Sequence, residues 1–166
     1  MPDAATAAQI SCLARVLKHA HGFRGGLIGP ERLHVTLFFL GQGHWSEPLV
    51  RLACEAASEV GERPFDIWFD RTVSFRGRPG RHPFVLAGGR GLDRLKSFRR
   101  LLGVAMAKSG LRRMVRDEFT PHVTLLYGER DAGEHPIEPI GWTIREFVLV
   151  HSLNGHVRIG SWPLHA

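Results

Sequence analysis

Two imidazoles, each two residues ahead of a hydroxyl, stand out in this sequence as His34-Val35-Thr36-Leu37 and His122-Val123-Thr124-Leu125, about half the chain apart. In 166 residues with 10 His, composition alone yields far less than one copy of such a string, so the pair reads as an internal repeat. The residue types define a chemistry. Imidazole titrates near ~6.5, so two of them can divide the roles of acid and base at neutral pH. The hydroxyls two residues on can donate to non-bridging phosphoryl oxygens. A single His beside Thr on a strand is most often a half-buried hydrogen-bonding group, and it is the duplication that turns the reading towards catalysis. Such a site needs neither a metal nor a covalent nucleophile.

The elements that must position these groups follow from the patterning. Residues 33–40 alternate and end at Gly41, which predicts a strand with His34 and Thr36 on one face and Val35 and Leu37 turned into a core. Residues 119–126 predict the same for His122 and Thr124. If the two strands face each other across a pseudo-twofold cleft, one ligand meets two imidazoles and two hydroxyls. Asp3 is a plausible cap for a helix over 4–20, and Ser46 for a second that carries Pro48 in its first turn and stops at Gly61. A third helix begins at Leu92 and stops at Gly110. Residues 65–75 and 83–87 predict two strands joined by a basic loop, and 142–153 with 156–162 a hairpin turned at Asn154-Gly155.

Composition sets the frame. The chain is 43% hydrophobic and 23% charged, enough for a core at one domain's length, which excludes disorder and a disulfide-dependent miniprotein. No run approaches the ~20 apolar residues of a membrane helix and no signal segment opens the chain, so a cytoplasmic protein is expected. Cys12 and Cys54 both fall in helical segments and are expected to be buried, reduced thiols. The 22 Lys and Arg against 16 Asp and Glu give a net charge of +6, a modest attraction for a polyanion.

With the two His-x-Thr-Leu motifs, Phe38-Phe39-Leu40-Gly41 after the first, Phe119-Thr120-Pro121 before the second, and their spacing, the chain resembles the 2H phosphoesterase superfamily over nearly its whole length. Within it, the similarity is to the bacterial and archaeal RNA 2′,3′-cyclic phosphodiesterases, also called 2′-5′ RNA ligases. The resemblance implies an α+β fold of two pseudo-symmetric lobes, antiparallel sheets with outer helices around a central cleft, forming a single bilobal domain over 1–166. It implies hydrolysis of a 2′,3′-cyclic phosphate at an RNA or oligonucleotide end to a 2′-phosphomonoester. No cofactor and no metal are expected, and the chain is expected to be a monomer. It further implies His34 as proton donor to the leaving oxygen, His122 as acceptor from the attacking water, and Thr36 and Thr124 as phosphate ligands. The residues alone leave donor and acceptor open.

Two positions depart from the family pattern. Members open with a short apolar strand ahead of the first helix, whereas this sequence starts Met1-Pro2-Asp3 at the helix itself, so that strand is expected to be truncated or absent. The family often carries an Arg five positions beyond the second His, where this chain has Tyr127. Arg130, of the same strand parity as His122 and Thr124, is the candidate substitute. The loop holding Arg76, Arg78, Arg81 and His82, and the group Arg112, Arg113 and Arg116, are weaker candidates for an RNA backbone, as are Phe38, Trp45 and Tyr127 for stacking a base. The remaining histidines show no metal-ligand spacing. Besides RNA-end hydrolysis, the same residues would serve a phosphodiesterase for a small cyclic nucleotide or cyclic phosphate, a 2′-5′ RNA ligase, or a non-catalytic nucleotide-binding module.

Overall fold

The computed structural model describes residues 1–152 and 157–165. Among the described residues, three α-helices and two antiparallel sheets make an α+β protein, divided into two compact units that each draw on three separate stretches of chain.

The first unit, Met1–Val35, Asp66–Leu92 and Thr120–Trp142, is a four-stranded sheet with one helix. Helix α1, Ala4–His21, starts where Asp3 accepts from the Thr6 amide and ends at Gly22 in the left-handed region (φ 63). Its apolar stripe buries Ala7, Ile10 and Ala14. The strands are β1, Phe65–Ser74; β2, His82–Ala87; β3, Val123–Gly128; and β4, Glu134–Ile144, in the order β3-β2-β1-β4. Ser74, Phe84 and Leu126 line up across three strands on the buried face, while Val73, Val85 and Thr124 form a row on the opposite one. The segment after α1 runs along the free side of β3: Ile28 donates to the Leu125 carbonyl at 2.8 Å and Leu27 bridges Leu126. Gly25 is required for that approach, since a Cβ there would sit 2.0 Å from the Tyr127 carbonyl oxygen.

The second unit, Thr36–Phe65, Asp93–Phe119 and Thr143–Ala166, pairs α2, Glu47–Ser58, and α3, Asp93–Met106, with the hairpin of β5, Glu146–His151, and β6, Val157–Pro163. Ser46 accepts from the Leu49 amide at the start of α2. Phe98 of α3 meets Phe65 and Phe147, and Phe147 stacks on Trp162, so aromatic rings join helix to hairpin.

Several elements differ from expectation. Residues 33–40 form no strand among the described residues: after a 3-10 turn at Pro30–Arg32 the chain leaves Leu33 in extended geometry, bends at Leu37 and joins no ladder. Alternation encodes an extended chain with one covered face, whereas pairing requires a neighbouring edge that local sequence does not specify. Val35 and Leu37 are accordingly half-buried rather than core. The segment expected as one strand over 142–153 is instead the end of β4 and all of β5; β4 begins earlier, at Glu134, and carries Pro136 and Pro139 at the sheet edge, where proline is tolerated. Cys12 is exposed and Cys54 half-buried, so neither thiol is a core residue. The expected Asn154-Gly155 turn lies outside the described residues. No helix among those described is long and apolar enough to cross a membrane.

Candidate active site

The two motif histidines are held in the same way. His34 Nδ1 lies 2.7 Å from the Arg32 carbonyl oxygen, and His122 Nδ1 lies 2.7 Å from the Thr120 carbonyl oxygen, in each case two residues upstream. A backbone carbonyl only accepts, so Nδ1 is the protonated nitrogen in both rings and the exchangeable proton or lone pair belongs to Nε2. Local sequence builds both arrangements. The 3-10 turn at Pro30–Arg32 presents the Arg32 oxygen, and Pro121, fixing the chain between Thr120 and His122, presents the other. Both rings are half-buried, and the Phe75 ring packs edge-on against His122 at 4.9 Å between centroids. His34, His122 and Thr124 belong to the first unit, and Thr36, an exposed residue, opens the second.

A bulge in β3 decides what accompanies His122. Val85 of β2 pairs with Thr124, but Phe84 pairs with Leu126, leaving Leu125 as an extra residue. Leu125 and Leu126 are both fully buried, so the alternation slips by one and Tyr127, 39% exposed, shares the outward face with Thr124. The parity assigned to Arg130 from the sequence therefore does not hold. The strand also stops at Gly128, and Arg130 lies in an exposed bend where its Nη2 donates to the His21 carbonyl oxygen at the C-terminal end of α1. There its charge complements the helix dipole.

Arg81, at the start of β2, lies with its guanidinium carbon 4.3 Å from the centre of the Tyr127 ring. Sequence reasoning placed Arg81 in a basic loop and Tyr127 on a strand but did not join them; a contact across two strands leaves no local trace. It also missed Arg99. This arginine of α3 is 7% exposed, donates from Nε to the Leu37 carbonyl at 3.0 Å and from Nη2 to the Arg116 carbonyl at 2.5 Å, and is sandwiched between Phe38 and Phe119 at 4.4 and 4.6 Å. Burial lowers its proton affinity, and the charge of Asp117 acts in the opposite direction. Arg99 thus ties the chain just after the first motif to the chain just before the second. Trp45 packs against His151 at 4.6 Å, with His151 Nε2 2.8 Å from the Gly43 oxygen, within the second unit. Among the described residues no group of three or more His, Cys, Asp or Glu could hold a metal ion.

Comparison with known proteins bears on the fold. The family model of the 2′-5′ RNA ligase superfamily matches residues 2–156. The crystal structure of E. coli LigT complexed with 3′-AMP superimposes with a TM-score of 0.68 at 22% identity, covering 96% of this chain and 93% of that one. A Thermus thermophilus protein gives 0.67 at 23% identity, covering 99% and 93%. A structure described as a phosphoesterase gives 0.63 at 21%, covering 96% and 94%. No curated protein matches the sequence.

Proposed function

The chain belongs to the 2′-5′ RNA ligase superfamily, and on that footing we propose that it hydrolyses 2′,3′-cyclic phosphate ends of RNA or oligonucleotides to 2′-phosphomonoesters. The observation that carries the reading is the duplicate histidine geometry, two rings each locked by Nδ1 at 2.7 Å to a carbonyl, with Nε2 assigned to proton transfer. In the reaction, water attacks phosphorus in line with the ribose 3′ oxygen. His122 takes the proton of the water as the P–O bond forms, and His34 gives its proton to the 3′ oxygen as that P–O bond breaks. The product is a 2′-phosphate and a 3′-hydroxyl, and proton exchange with solvent restores both rings. Thr36 and Thr124 donate to the non-bridging oxygens, where charge builds in the transition state. Arg130, anchored at the end of α1, adds a positive charge that favours binding of the anion. The complexes of E. coli LigT with 3′-AMP, ATP and phosphate support a ligand built on a nucleotide phosphate.

The test is product analysis with two substrates, an oligoribonucleotide ending in a 2′,3′-cyclic phosphate and a small cyclic nucleotide, each with and without a chelator. Conversion of the oligonucleotide to a 2′-phosphate end in both conditions is the expected result. Conversion of the small substrate alone would make it a cyclic-nucleotide phosphodiesterase, and conversion of neither a binding module.

A further inference from the structure

We propose that Arg81, held against Tyr127, is a phosphate ligand on the outward face of the first unit's sheet; this deepens the phosphoesterase reading and rests on it. A cyclic phosphate carries a negative charge and its product carries more, so a site that binds both needs a full positive charge as well as hydroxyl donors. The strand that presents Thr124 supplies none: residues 122–128 contain no Lys or Arg. What the bulge does present beside Thr124 is the half-exposed ring of Tyr127, covered by the Arg81 guanidinium at 4.3 Å.

The register gives this contact a direction. His82 pairs with Gly128 and Pro83 with Tyr127, so Arg81 starts beyond the end of β3, and lying over Tyr127 means that its side chain turns back along the strand towards Thr124. Tyr127 is three residues from Thr124 with one of them taken up by the bulge, a separation of about 7–10 Å along the strand. A stacked guanidinium keeps its N–H donors in its own plane, parallel to the ring, where they can reach the oxygens of a phosphate while the ring fixes the plane.

The backbone beneath Arg81 is fixed as well. Pro79-Gly80 forms a two-residue turn, with Gly80 in the left-handed region (φ 71) that the second turn position of a type II turn requires. Arg81 donates its amide to the Arg78 carbonyl at 2.9 Å, and the Phe75 amide donates to Pro83 at 2.8 Å. Arg81 is exposed, and a cation held at both its backbone and its plane loses less freedom on binding than an arginine without those contacts.

Titration calorimetry with inorganic phosphate and with adenosine 2′-monophosphate tests this on the full chain, comparing the wild type with Arg81→Ala, Arg81→Lys, Tyr127→Leu and Arg90→Ala, and taking a melting curve for each. Arg81→Ala is expected to weaken both ligands about tenfold, Arg81→Lys to recover part of the loss, Tyr127→Leu to weaken them about threefold, and Arg90→Ala, an exposed arginine of the same unit, to stay within twofold. Wild-type affinity in Arg81→Ala, an equal loss in Arg90→Ala, or no phosphate binding by the wild type would each overturn the assignment. Phosphate bound through Arg81 with no hydrolysis of a cyclic end leaves the subsite standing and removes the phosphodiesterase reading. Full kcat/KM in Arg81→Ala does the reverse.

Discussion

Binding Nδ1 to a carbonyl two residues upstream fixes the tautomer and the orientation of each motif histidine, and in the proposed reaction Nε2 moves the proton. In the proposed reaction each threonine contributes one donor, and the expected weight of that donor is that of a hydrogen bond to a charged group. Thr124→Val, which keeps the shape and removes the hydroxyl, should lower kcat/KM by about ten- to a hundredfold; unchanged kinetics would remove Thr124 from the phosphate site. Arg130→Ala should raise KM with little effect on kcat, and wild-type kinetics would show that its only work is at the end of α1. A separate expectation concerns stability. Burial, with the charges of His135 and Arg130 nearby, lowers the proton affinity of His21 in the folded state. The unfolded chain therefore takes the proton more readily, so the stability that neutral His21 contributes is complete above ~6.5 and is lost as pH falls through the lower folded-state value. Urea midpoints at pH 7.5 and 5.5 should fall less on acidification in His21→Phe than in the wild type, and equal falls would refute this. At this scale the repeat was legible because residue types and spacing are written in the sequence. The face occupied by Tyr127 was not, because one extra residue in a bulge reverses parity without changing composition. Arg99 and Arg100 are adjacent arginines on one helix, and nothing local marks the first of them as buried.

Arg99 acts through elements rather than on the reacting atoms. It gives the carbonyls of Leu37 and Arg116 their donors and fills the space between Phe38 and Phe119, so it sets how the chain leaves the first motif and enters the second. Arg99→Leu leaves the part-buried carbonyls of Leu37 and Arg116 without this donor, at about 1 kcal/mol each. It should lower the urea midpoint clearly and reduce kcat, while Arg99→Lys restores part of both; a leucine variant as stable as the wild type would contradict the tie. The helices were legible in the sequence because caps and stripes are local: Asp3 and Ser46 cap α1 and α2 as their sequence positions imply. The β1–β2 hairpin was legible from two apolar runs around Pro79-Gly80. That 33–40 joins no sheet, and how far the edge strand β4 reaches, were not, since the first depends on whether another strand edge is present and the second is permitted its prolines only by its place in the sheet.

One passage of the chain from the first unit to the second falls between Val35 and Thr36, inside the first motif, and one of its returns falls at Thr120, two residues before His122. Both motifs thus sit where the chain changes unit, which explains why a repeat about half the chain apart could be read from the sequence while the division of residues between units could not: each unit is assembled from three distant segments. The net charge of +6 belongs to this scale too. It should appear as a KM for an oligonucleotide substrate that rises with salt, more steeply than for a mononucleotide cyclic phosphate, and equal salt dependence would mean that the chain contacts only the terminal phosphate. The central claim is that His34 and His122 serve one reaction, and the direct measurement is kcat on an oligoribonucleotide with a 2′,3′-cyclic phosphate end for His34→Ala, His122→Ala and the double variant, with a chelator present. Each single variant should lose ~10²-fold or more with its melting temperature kept, and the double variant should be little slower than the slower single, because the two rings act as a unit. Full activity in either single variant would contradict the account.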